Sequence, residues 1–125
     1  MIRIRVTRRA NGVEIHAVGH AGYAPRGEDM VCAGISALLY GFVAYLKALS
    51  SVATAEEPAC QRGTLRWEAT EGDGELWVRT CGHASRVLEG FAAVEAGIRL
   101  IARAYPQFVV LEEFISQEGD VYEST

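Results

Sequence analysis

Cysteine and net positive charge are both scarce in this 125-residue chain, and each scarcity closes off a class of protein. Three cysteines make an odd set, poorly suited to the disulfide framework of a small secreted domain, so reduced thiols are expected. No apolar leader follows a basic start, and no unbroken apolar run reaches the length of a membrane span, so a cytoplasmic setting is the natural expectation. The formal net charge is -4, which argues against a general nucleic-acid binder and its basic excess. Internal repeats are absent apart from a hairpin-helix pattern that occurs twice. Half of the residues are hydrophobic, enough at this length for one domain with a real core.

The chain opens with Ile2, Ile4 and Val6 alternating with Arg3, Arg5 and Thr7, the period of a half-buried strand. Asn11-Gly12 supplies the positive φ of a tight hairpin turn. A second strand follows, with Val13, Ile15 and Ala17 on one face and Glu14, His16 and Val18 on the other. Beyond it, residues 30–49 read as an almost wholly apolar helix whose only charge is Lys47, so it needs cover on more than one side. A second helix or a second copy of the chain is expected to give that cover, and the surplus favours a homodimer. Ala33, Gly34, Ala37 and Gly41 would permit close backbone approach.

Residues 50–62 lack useful periodicity and read as a surface connection that contains Cys60. Leu65, Trp67 and Ala69 then alternate with polar neighbours, Gly72-Asp73-Gly74 makes a turn, and Leu76 and Val78 return as a second hairpin. A helix over 84–105 turns Val87, Phe91, Val94, Ile98 and Ile101 inward and Arg86, Glu89, Arg99 and Arg103 outward, and Pro106 ends it. A last strand at 108–115 carries apolar residues on both faces. The expected fold is α+β: a two-layer sandwich of a mixed five-stranded sheet and two helices, in the order hairpin, helix, hairpin, helix, strand. One domain spans 1–115, and 116–125 is a polar, acidic tail expected to fray.

The chemistry concentrates in residues 19–36, GHAGYAPRGEDMVCAGIS. His20 stands where a strand ends, and Cys32 stands in the first turn of the apolar helix that Asp29 is placed to cap. Unpaired backbone N–H groups at a helix start favour a thiolate, and the fold would bring imidazole and thiol to one edge of the sheet. Gly22, Pro25 and Gly27 mark the segment between them as an irregular, mobile connection that could gate the site, with Tyr23 and Pro25 offering apolar contact to a peptide.

Plainer readings compete at every position. A cysteine in a buried helix is often a small core residue, a strand-end histidine often satisfies a carbonyl, and Ser36 can bond back to the carbonyl four residues earlier. Asp29 can cap the helix or orient His20. Cys81-Gly82-His83 offers two ligands where a structural zinc needs four, so Cys60, Cys81, His16 and His83 are read as structural or surface residues. Arg3, Arg5, Arg8 and Arg9 could form a basic patch, though a solvated face accounts for them better in an acidic chain.

The runs GHAGY and EDMVCAGIS, separated by a loop with Gly27, resemble the signature of the ribosomal-processing cysteine proteases, the Prp family, in which GHA and D-x-V-C-A-x-x-S are separated by a glycine-containing loop. Gly34-Ile35 stands where that family often has Ala-Val, a departure away from the chemistry. The resemblance implies Cys32 as nucleophile and His20 as general base, with Gly19, Gly22, Asp29 and Ser36 supporting the site or binding substrate. It implies no cofactor and no metal. The implied substrate is the N-terminal extension of the twenty-seventh protein of the large ribosomal subunit, cut next to a pair of aromatic residues. Rival readings are a cysteine hydrolase of small thioesters or amides, and a non-enzymatic ribosome-associated module using the arginine patch.

Overall fold

Alternating apolar and polar residues are realised as strands β1 (Ile2–Arg9) and β2 (Gly12–Val18), which pair antiparallel from Arg3 opposite Val18 to Arg9 opposite Gly12. The structure, a computed structural model, describes residues 1–50, 65–82 and 84–116. After helix α1 (Met30–Ser50) come β3 (Arg66–Gly72), β4 (Glu75–Cys81), helix α2 (Ala84–Ala104) and β5 (Val109–Ile115). The strand order is β3-β4-β2-β1-β5, antiparallel throughout except for the parallel pair β1 and β5. This is the expected two-layer α+β sandwich with a mixed sheet. The expected surface connection with Cys60, His83 and the tail beyond residue 116 lie outside the described residues.

One sheet face carries Ile2, Ile4, Val6, Val13, Ile15, Leu76 and Val78, all buried beneath the helices. From α1, Val31, Ile35, Leu39, Phe42 and Leu46 complete this core, and from α2, Val87, Phe91 and Ile98. The helices close on each other through glycine notches. A Cβ on Gly90 would lie 2.4 Å from the Tyr45 ring, and one on Gly97 would lie 2.9 Å from Leu38. Gly34 likewise admits Ile101, whereas Gly41 faces open space.

Four expectations are corrected. Helix α1, 21 residues at mean hydropathy 1.6, is long and apolar enough by length and composition to cross a membrane. It serves instead as the core helix, with six side chains buried. Gly12 does not take the left-handed conformation; glycine is needed there because a Cβ would sit 1.9 Å from the Thr80 carbonyl oxygen on β4. Cys81 is buried and disulfide-bonded, while Cys32 is a free thiol, since pairing follows spatial separation in the fold rather than cysteine count. Arg99 does not simply face water: it bonds Glu113 at 2.8 Å and approaches the buried Glu95, which also pairs with Arg8. The Glu95 hydrogen bond, then Arg99 and Arg8, hold the Glu113 carboxyl below its ordinary range.

The arginine patch is thereby divided. Arg8 turns to the helix side, over the Phe91 ring at 5.6 Å, while Arg3 pairs with Glu112 and Arg5 lies 5.2 Å over Phe114 on the open face. That open face also carries His16 stacked on Trp77 at 3.7 Å, with Glu75 bonding both.

Candidate active site

The end of β2, the start of α1 and the β3–β4 turn meet at one corner. Asp29 is the N-cap of α1: its Oδ1 accepts the Cys32 N–H at 2.9 Å, and its backbone oxygen accepts the Ala33 N–H at 3.0 Å. Its Oδ2 accepts the Tyr23 N–H at 3.0 Å and approaches that of Ala24 at 3.5 Å. These backbone donors, Cys32 foremost, hold the Asp29 carboxyl below its ordinary value of 3.8 against a smaller opposing effect of burial. One carboxylate therefore clamps the Cys32 turn to the preceding loop. Both oxygens are spent on backbone, so of the two roles left open by the sequence the structure displays the cap.

Cys32 is half-buried in the third helical position, and His20 is exposed just past β2. Both line a cleft of about 390 Å³ with Ser36, Tyr40, Asp73 and Gly74, and both line an adjoining cleft of about 500 Å³ under Ala24, Arg26 and Gly27. Thiol and imidazole share these walls without a direct hydrogen bond, a bond that commonly tightens only when substrate binds. Gly19 takes φ 102° and donates its N–H to the Gly74 carbonyl at 2.7 Å, which ties His20 to the β3–β4 turn. Ser36 lies in both clefts, one helical turn beyond Cys32.

The turn residues Asp73 and Gly74 were readable in the sequence only as a turn. In the fold, Asp73 Oδ1 stands 3.8 Å from His20 Nε2. A Cβ on Gly74, whose φ is +66°, would come within 2.7 Å of the same nitrogen. No local signal marks them, because the contact spans over fifty residues of chain.

The intervening loop departs from expectation. Ala21 is buried, and the Tyr23 ring meets Tyr105 and Phe108 edge-on at 5.5 and 5.4 Å, so the loop's first half is anchored while the Tyr23 ring keeps an exposed side. Gly22 and Gly27, both at positive φ, have open space beside the backbone. The Cys32 and Ala33 amides are also engaged, so an oxyanion would have to find other donors than these at the helix start.

The family model for cysteine protease Prp matches residues 1–110. The ribosomal processing cysteine protease Prp of Mycoplasma pneumoniae is 26% identical over 113 residues, covering 90% of this chain and 95% of the relative. The corresponding protein of Mycoplasma genitalium is 27% identical over 115 residues, covering 90% and 96%. The crystal structure of an essential ribosomal processing protease Prp from S. aureus, in complex with a covalently linked product peptide, superposes with TM-score 0.73 at 23% identity, covering 90% of this chain and 99% of that one. At that identity the superposition speaks for the fold.

Proposed function

This chain belongs to the Prp family of cysteine proteases, and we propose that it removes the N-terminal extension of the twenty-seventh protein of the large ribosomal subunit, with Cys32 as nucleophile and His20 as general base. The observation that carries the reading is the meeting of two clefts at these two side chains. Space on both sides of the thiol suits a polypeptide passing through, which a small thioester or amide would not require. The division of the arginines between two faces, each engaged with a neighbouring side chain, argues against the binding-module alternative.

In this reading His20 takes the Cys32 proton as Sγ attacks the scissile carbonyl carbon. The tetrahedral intermediate collapses with cleavage of the C–N bond, and the leaving amine receives the proton from His20. Water, deprotonated by His20, then releases the acyl group and restores the thiol. Ser36 and the Arg26 guanidinium are the nearby side-chain donors for the developing oxyanion. Gly19 fixes the approach of His20, Asp29 the first turn of α1, and Gly22 the bend of the loop. No cofactor, metal or nucleic acid takes part, and the setting is the cytoplasm, where ribosomes mature.

The chain acts as a homodimer: Met30 on α1 and Leu100 on α2 remain exposed after the two layers have packed. The deciding experiment incubates the ribosomal precursor with wild-type protein and with Cys32→Ser. Removal of the extension by the first alone supports the reading, and an intact precursor in both overturns it.

A further inference from the structure

The catalytic cleft does not end at Tyr40. A further cavity of about 210 Å³ continues along α1 on the far side of this residue, floored by Val43 and Leu76 and walled by Trp67 and Ala69 of β3, with Lys47 at its far end. The two spaces share Tyr40 and Leu76, and the Tyr40 hydroxyl donates to Glu71 across the junction. This bond, with partial burial, raises the Tyr40 phenol above its ordinary 10.0.

We propose that this cavity is a side-chain subsite, taking one large apolar side chain of the substrate polypeptide at a position four to six residues from the scissile bond. The inference rests on the protease reading above. Size decides the kind of occupant: about 210 Å³ is below the roughly 300–1,000 Å³ of whole-ligand sites but ample for one side chain. Distance decides the position. Val43 lies eleven residues along α1 from Cys32, about 16 Å at 1.5 Å per residue, and an extended peptide rising about 3.3 Å per residue covers that in five. β3 leads away from the catalytic corner beside α1, from Gly72 to Trp67, and it is an end strand of the sheet, so an extended chain can run along it. Its side chains then alternate, and every second one faces the helix layer where the cavity lies.

The test uses peptides that wild-type protein cleaves, with Ala, Leu, Phe or Asp placed in turn at each position three to seven residues from the scissile bond on either side. At one position, four to six residues away, Phe or Leu should exceed Ala in kcat/KM by roughly tenfold or more, the scale on which an apolar pocket distinguishes missing side-chain carbons. Ala69→Phe, which fills the cavity from its rim, should reduce that preference to within about twofold, with the rate of Cys32 alkylation by iodoacetamide confirming an intact fold. Absence of any preference at these positions, or one that survives Ala69→Phe, overturns the subsite. A second readout needs no change in the cavity: in Cys32→Ser, binding of the Phe peptide should shift the Trp67 indole N–H resonance and binding of the Ala peptide should not. Equal shifts, or none, overturn the proposal. If no peptide is cleaved the protease reading fails, and the Trp67 resonance still decides the subsite separately.

Discussion

Gly74→Ala separates the geometry of His20 from the stability of the fold. At φ +66° an alanine is strained by about 1–2 kcal/mol, which for a chain of this size lowers the melting temperature by roughly 3 to 10 °C. The new Cβ would also stand 2.7 Å from His20 Nε2, where ordinary contact begins at 3.4 Å, so the ring must retreat by about 0.7 Å, the difference of the two. The ring is largely exposed and can swing outward at little cost in stability. Catalysis cannot absorb the move so easily, because about an ångström of misplacement can cost 10²-fold, so kcat/KM should fall about 10- to 100-fold. Gly74→Asn keeps the clash but tolerates the left-handed backbone better, so it should recover much of the melting temperature and little of the activity. The assay is cleavage of a fluorogenic peptide beside thermal melts of the three proteins. Activity of Gly74→Ala within twofold of wild type would show that the β3–β4 turn does not set the ring's position, and recovery of activity in Gly74→Asn would assign the loss to backbone strain.

Iodoacetamide should label Cys32 first, because it is the free thiol that lines both clefts, whereas Cys81 is buried and disulfide-bonded; mass spectrometry showing comparable labelling at another cysteine refutes this. Cys32→Ser and His20→Ala should melt within a few degrees of wild type yet lose cleavage, since neither opens a large core cavity; near-normal turnover of His20→Ala ends the dyad. Light scattering at micromolar concentration should give the mass of a dimer, and a monomer mass at every accessible concentration removes the assembly. Hydrogen exchange should find the Tyr23 amide protected by Asp29 and the Arg26 and Gly27 amides fast, with Gly27→Val slowing turnover more than it lowers stability; uniform protection from 21 to 28 would make the loop a fixed wall.

Periodicity made most of the fold legible. The alternation at residues 2–6 and 13–18 and the apolar stripes of both helices carry their own geometry, since burial of one face is a local pattern. Strand order was not legible, because the parallel pairing of β1 with β5 joins segments a hundred residues apart. The site divides in the same way. His20, Asp29 and Cys32 lie within thirteen residues, and their placement at one corner follows from a strand end and a helix start. Asp73 and Gly74 reach His20 only through the pairing of β2 with β4, and nothing in GDG distinguishes a turn that holds a side chain from one that merely reverses the chain. Tyr23 was legible as an aromatic in a loop, but its partners Tyr105 and Phe108 come from the α2–β5 corner, so its anchoring could not be read.

Asp29 joins these local and distant parts, and its chemistry yields a last prediction. Its two oxygens accept in different directions, Oδ1 from Cys32 and Oδ2 from Tyr23 and Ala24, so a side chain with a single acceptor cannot replace it. In Asp29→Asn the amide oxygen can serve the helix or the loop, and the NH₂ group then faces a backbone donor on the other side. The helix should win, because the cap closes the first turn of α1, and the loop between His20 and Cys32 should loosen. Loss of cleavage should therefore exceed loss of thermal stability, and the Tyr23 amide should lose its protection while that of Cys32 keeps it. The pH dependence has a definite sign. Hydrogen bonds lower the folded carboxyl below 3.8, so its contribution is complete above about that pH and disappears as pH falls through the lower folded value. Wild type and Asp29→Asn should consequently differ by a constant amount in melting temperature above about pH 3.8 and converge as pH falls below it. A difference that stayed constant from acid to neutral pH would show that the charge of Asp29 contributes nothing to the clamp, and equal protection of the Tyr23 amide in both proteins would show that the loop is held by Tyr105 and Phe108 alone.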